Sequence, residues 1–225
     1  MTPSADPSEE IALARAMAAM APAGFRTGCR IIRDGDEAHL LPAEAGSIPA
    51  RQPAMRRASG AARWIAHRLL ADVGFDGFAL LRTPSGAPAW PEGITGSLAH
   101  DDDMAVAAVA PVAGIGSLGI DVEPALPLPN DIFSLVAIPA DRMGAADRQL
   151  AGRILFAAKE AVYKAAYPLD REVLGYEDIA VDLETGHATT RMGRKVSIAY
   201  CIAPRVVVLA FIAEQASAYS LTTSR

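Results

Sequence analysis

The apolar positions along this chain change their spacing several times, and each change marks an element. Leu13, Met17 and Met20 recur at helical intervals and predict an N-terminal helix with one apolar face. Asp6 stands where an N-cap belongs, with Pro7 at the first helical position and Glu9 three residues after the aspartate. That arrangement satisfies orphan N–H groups and suits the helix dipole. Residues 56–73 repeat the helical pattern, with Ile65, Leu69 and Val73 on one face and Gly74 as the stop. A third helix is expected over about residues 147–166, with Leu155, Val162 and Ala166 on its apolar stripe. Pro168 should close it, because the residue before a proline avoids helical geometry.

Elsewhere the period shortens. Residues 104–110 alternate small and β-branched side chains, and "SLGIDVE" at 117–123 continues as a second strand until Pro124, Pro127 and Pro129 mark a loop. Three more strands are expected at 178–183, 195–203 and 205–213, followed by a solvated tail at 217–225. Each half then holds a helix and several strands in similar order. The prediction is an α+β fold of two similar subdomains, residues 1–115 and 116–225, meeting near residues 111–119.

With 225 residues, 51% of them hydrophobic, the chain can build substantial cores. A net charge of −5 and a pI near 5.4 argue against nucleic acid as partner but leave room for a local basic patch that holds a small anion. Cys29 and Cys201 are far apart and lack zinc-site or redox spacing, so buried thiols are expected. No basic region precedes the first apolar stretch, and no window approaches the roughly 18 uninterrupted apolar residues of a membrane span. A cytoplasmic, monomeric soluble protein is the expectation.

Four stretches carry candidate chemistry. In "LGIDVE" Leu118, Ile120 and Val122 point to one face of a strand and Asp121 and Glu123 to the other, about 7 Å apart by the strand rise. Two carboxylates at that distance can share a cation, and all-oxygen ligation points to magnesium. A solvent-facing strand edge is the alternative. In "ILFAAKEAVYK" Glu160 and Lys164 could simply form an i, i+4 ion pair. Lys159 lies near the apolar stripe, so its stem should be partly buried while its amine reaches out. In "PAWPEGITGSLAHDDDMAVA" Gly93 and Gly96 permit close backbone approach to a ligand, Ser97 offers a hydroxyl and His100 a phosphate contact. Turn glycines, a capping serine and an ordinary histidine explain the same residues. Asp101 to Asp103 cannot share one strand face and are expected to form a solvated turn. Arg56, Arg57 and Arg63 could grip a phosphomonoester with forked donors, or form an ordinary basic helix surface.

Taken in order, "GAPAWPEGITGSLAH", "LGIDVE" and "FAAKEAVYKA" resemble the three signature blocks of the 4′-phosphopantetheinyl transferases of the surfactin and enterobactin-synthase class, the enterobactin-like branch fitting best. "RRASGAARWIAHRLLADVG" is similar to that family's coenzyme A-contacting helix, so the resemblance covers about residues 56–166. It departs at Ala99, where serine or threonine is common, and at Ala62 and His67, where glycine and arginine are frequent. The resemblance implies two α+β subdomains in pseudo-twofold relation with coenzyme A between them. It implies that Asp121, Glu123 and Glu160 bind Mg2+ with the coenzyme A pyrophosphate, that Lys164 contacts that pyrophosphate, and that Lys159 lies near the phosphates. Ser97 and His100 would contact the nucleotide and its phosphates, and Arg56, Arg57 and Arg63 would hold the 3′-phosphate end.

The activity implied is transfer of phosphopantetheine from coenzyme A to a serine of an acyl, aryl or peptidyl carrier protein of siderophore, non-ribosomal peptide, polyketide or fatty-acid synthesis. Adenosine 3′,5′-bisphosphate would leave, with Glu160 or a metal-bound water as base. The loop at 124–138, with Leu126, Leu128, Ile132 and Phe133 among prolines, is the expected carrier-docking surface, a plain linker being the alternative. Two other functions share these residues: a magnesium-dependent hydrolase of nucleoside-diphosphate derivatives, and a coenzyme A- or carrier-binding module without catalysis.

Overall fold

The computed structural model describes residues 7–49, 52–144 and 147–213. The N-cap expected at Asp6 and the tail at 217–225 lie outside these residues. Helix α1 (Pro7–Met20) is followed by strand β1 (Arg26–Ile31), a short helix α2 (Pro42–Ser47) and the long helix α3 (Pro53–Ala71). Then come strands β2 (Ile94–His100), β3 (Met104–Pro111) and β4 (Ile115–Pro124), helices α4 (Asn130–Val136) and α5 (Ala151–Asp170), and strands β5 (Ile179–Asp182), β6 (His187–Thr190), β7 (Lys195–Cys201) and β8 (Arg205–Ala213).

The strands form two antiparallel sheets, one ordered β1-β3-β2 and the other β4-β8-β7-β6-β5. Side-chain alternation assigns the cores. On β3, Met104, Val106 and Ala108 pack with Leu118, Ile120 and Val122 of β4, with Val207 and Leu209 of β8, and with Leu13 and Met17 of α1. The opposite face of β3, Ala105, Ala107 and Val109, takes Ala61, Ile65 and Leu69 of α3. The opposite face of β8, Val206, Val208 and Ala210, takes Ile154, Leu155, Ala158 and Val162 of α5. Two helix-and-sheet halves thus stand back to back, an α+β arrangement of two subdomains.

Helix α3 stops where Gly74 predicts. Gly74, at φ +94°, donates its N–H to Ala71 and Phe75 donates to Leu70, the paired closing bonds of a left-handed C-terminal cap. Helix α5 differs from expectation, running through Pro168 to Asp170 before Arg171, at φ +57°, turns the chain and donates to the Tyr167 carbonyl. Proline removes one donor but does not end a helix whose last turn can close beyond it. Strands β1, β2 and β6 arise where no strand was expected, held by pairing with β3 and β7. Asp101 is no solvated turn residue: Oδ1 accepts the N–H groups of Asp103 and Met104, and Oδ2 takes Arg205 Nη1 at 2.6 Å. Cys29 is buried and free, its thiol pushed up to about 12 by desolvation, and Cys201 is free and half-buried.

Candidate active site

The site forms where β4 passes under α5, and Gly119 sets how closely they approach. A Cβ at residue 119 would lie 2.0 Å from the Ala161 carbonyl oxygen and 2.7 Å from the Ala165 nitrogen, so only glycine lets the helix settle onto the strand. At that separation Lys164 reaches down from the helix. Its amine donates to Asp121 Oδ1 at 2.6 Å and to the Ile120 carbonyl at 3.1 Å. The i, i+4 pairing of Glu160 with Lys164 is therefore replaced by a pair between helix and strand.

The strand face carrying Asp121 is turned to α5 and is no solvent edge: Asp121 is 7% exposed. Burial, opposed by Lys164 and reinforced by Glu123 and Glu160, pushes its carboxyl up to about 6. Oδ2 of Asp121 is buried without any hydrogen-bond partner. Glu123 accepts Arg153 Nη1 at 2.7 Å, and Arg153 is itself fastened to the carbonyls of Leu126 and Pro127. Burial raises the Glu123 carboxyl, Arg153 opposing it. Glu160 accepts the Tyr176 hydroxyl at 2.9 Å.

Asp121 and Glu123 are thus each paired with a cation and Glu160 with a neutral phenol, and among the described residues no three acidic, histidine or cysteine side chains close into a metal cage. The donor set still fits a divalent cation. An orphaned buried carboxylate oxygen is costly until a cation or donor reaches it, and this one lies on an acid whose charge Glu123 and Glu160 both feel.

Lys159 departs from expectation. Its amine is buried with its stem, 2.8 Å from Asp141 Oδ2, and donates to the carbonyls of Val136 and Tyr176 at 2.8 and 3.0 Å. Asp141 in turn accepts the N–H groups of Ile138 and Val181. An ammonium taken out of water needs such a complete set of acceptors, and this set holds it away from the cleft.

Beside Lys164 a cavity of about 480 Å³ runs between the two sheets, lined among others by Ser97, Ser117, Trp90, Arg82 and Tyr163. Gly96 lies beneath the Trp90 ring, which a Cβ would strike at 2.6 Å. A smaller space of about 170 Å³, sharing Arg82 and Leu98 with the first, is bordered by His100, Arg63 and Ser59. Arg63 is buried and donates to the carbonyls of Leu80 and Ser59. Arg57 pairs with Asp34 on α3's first turns; neither it nor Arg56 lines these spaces as the described residues form them. Lys164 and Ser97 therefore line one cleft, which Asp121 adjoins through its bond to Lys164, and His100 and Arg63 border its extension, while Lys159 turns inward; Glu123 and Glu160 line neither space as the described residues form them. Arg82, Arg153 and Tyr176 escaped the sequence reading. Arg153, about two helical turns before Glu160, had a signal because seven residues place both on one side of the helix; Arg82 and Tyr176, on irregular segments, had none.

Residues 36–110 match the family model for the 4′-phosphopantetheinyl transferase N-terminal domain, and residues 117–218 match that of the 4′-phosphopantetheinyl transferase superfamily. The chain is 37% identical over 161 residues to the 4′-phosphopantetheinyl transferase Svp of Streptomyces mobaraensis, a match spanning 68% of this chain and 65% of that protein, a little under two thirds of its length. It is 36% identical to Npt of Nocardia iowensis over 76% of this chain and 79% of that one. It is 39% identical to PptT of Mycobacterium tuberculosis over 70% of each. With both domain models matched in order and the site built at their junction, the chain belongs to the 4′-phosphopantetheinyl transferase superfamily.

Proposed function

We propose that this protein transfers the 4′-phosphopantetheine group of coenzyme A to a serine hydroxyl of an apo carrier protein, releasing adenosine 3′,5′-bisphosphate, with Mg2+ as cofactor. The observation that carries the reading is the orphaned Asp121 oxygen beside the Asp121–Lys164 pair at the edge of the inter-sheet cleft. Asp121, with Glu123 and Glu160, would hold the cation, which when bound offsets the negative charge of the pyrophosphate.

The remaining work falls to the chain's own side chains. Lys164, part-exposed and bordering the cavity, would exchange its contact with Asp121 for a pyrophosphate oxygen and bind the charge that grows on the leaving phosphate. Ser97, His100, Arg63 and Arg82 border the nucleotide end. The resulting bond is a phosphodiester between serine Oγ and the phosphorus bearing pantetheine; the bond broken joins that phosphorus to the bridging oxygen.

For the carrier we assign the surface of the Pro124 loop and α4, but not through Phe133, which packs on the core against Gly152. Leu126 and Leu135, 61% and 72% exposed, are its apolar contacts. Such a surface suits an acyl, aryl or peptidyl carrier domain. None of the described helices is long and apolar enough to cross a membrane.

The test is to incubate the protein with Mg2+, coenzyme A and a panel of apo carriers and weigh the intact carriers. A phosphopantetheine-sized gain that disappears with chelator is the expected result. Breakdown of coenzyme A without an acceptor would instead identify a hydrolase, and no gain on any carrier with coenzyme A bound would identify a binding module.

A further inference from the structure

Outside the cleft, one residue meets helix α5 twice, once through its side chain and once through its backbone. Tyr176 sits in the short 3-10 turn before β5. Its hydroxyl donates to Glu160 Oε1 at 2.9 Å, its backbone carbonyl accepts the buried Lys159 amine at 3.0 Å, and its ring lies 5.9 Å from that of Phe156. Lys159 and Glu160 are neighbours on α5, so the contacts close a ring from the Lys159 amine through Tyr176 and back through Glu160. The inner side of the ring is anchored by Asp141, which joins the Lys159 amine to the backbone of Ile138 and Val181.

We propose that Tyr176 is a positioning residue for Glu160: the phenol commits Oε1 and fixes the carboxylate so that Oε2 is the oxygen presented to a divalent cation. The inference rests on the proposed role of Glu160 as a ligand. A glutamate on a helix has three rotatable side-chain bonds, and leaving them free costs entropy each time a ligand must be gripped. The phenol removes part of that cost in advance. Hydrogen-bond partners behind a metal ligand are typically worth 10–100-fold in affinity or activity. This also gives Lys159 its place, since it holds the Tyr176 backbone and so the height of the hydroxyl above α5.

The test compares the full chain with Y176F and E160Q, using Mn2+ as a spectroscopic probe. Free Mn2+ is followed by electron paramagnetic resonance during titration without coenzyme A, and transfer to an apo carrier is followed separately. Y176F loses only one oxygen atom, and its melting temperature reports whether the turn is intact. The expected result is a variant that melts near wild type, binds Mn2+ roughly 10–100-fold more weakly, and recovers transfer when Mn2+ is raised. Y176F with wild-type Mn2+ affinity, alongside E160Q that has lost it, would overturn the role of Tyr176 alone. E160Q with wild-type Mn2+ affinity and transfer would overturn the role of Glu160 on which the inference stands.

Discussion

Lys159 lies beside a proposed metal ligand and yet is wholly buried, so its replacement separates a structural cation from a phosphate-binding one. In Lys159→Met the stem is kept and the charge removed. Asp141, 1% exposed, is left as a buried anion with two backbone N–H donors, and the carbonyls of Val136 and Tyr176 each lose a donor. Breaking a buried pair from one side costs about 3–5 kcal/mol. In a chain of this size each kcal/mol moves the melting midpoint by roughly 2–4 °C, so a fall of roughly 6–20 °C is expected by calorimetry. Asp141→Asn in the same protein removes the stranded charge and should recover about 1–2 kcal/mol, a coupling measurable as a double-mutant cycle. Coenzyme A affinity of the folded variant should stay within a few-fold of wild type. A Lys159→Met protein that melts normally but has lost coenzyme A binding would refute the assignment.

Three further outcomes are expected. Gly119→Ala sets a methyl group against the α5 backbone at 2.0 Å and should cost about 1–3 kcal/mol or more, with transfer lost because Lys164 is lifted from Asp121; denaturant titration and an activity assay check both. The Asp121 carboxyl is raised from the ordinary carboxylate range to about 6, chiefly by burial, so the stability it contributes is complete below about pH 4 and lost as pH rises through 6. A displacement of about 2 on the pH scale is worth about 3 kcal/mol, so metal-free Asp121→Asn should melt higher than wild type at pH 7.5, with the gain vanishing near pH 4, while transfer is abolished. Leu135→Ser should raise the KM for carrier protein several-fold and leave that for coenzyme A unchanged; equal effects on both would remove the α4 surface from the docking site.

The long helices and the central strands were legible because their signals are local. The faces of α1 and α3 repeat every 3.6 residues, and Gly74 terminates α3 through its own backbone freedom. Residues 104–110 and 117–123 announce strands by β-branched and small apolar side chains, and the acid pair of β4 follows from a period of two. The three motif blocks likewise record residue types that a site needs whatever the route of the chain. Strands β1, β2 and β6 were not legible, because "RTGCRI", "ITGSLAH" and "HATT" are held by hydrogen bonds to strands distant in sequence.

Side-chain partners were decided the same way. Periodicity put Lys159 at the edge of the apolar stripe but could not tell an amine reaching water from one meeting Asp141, which lies 18 positions earlier on another segment. It offered Lys164 to Glu160, four residues away, whereas the approach allowed by Gly119 gives Lys164 the stronger attraction of a buried carboxylate on β4. Spacing along a chain tells which face a side chain shares; the charge it meets there depends on which segments the two cores bring together, because burial magnifies the nearest opposite charge over every weaker local choice.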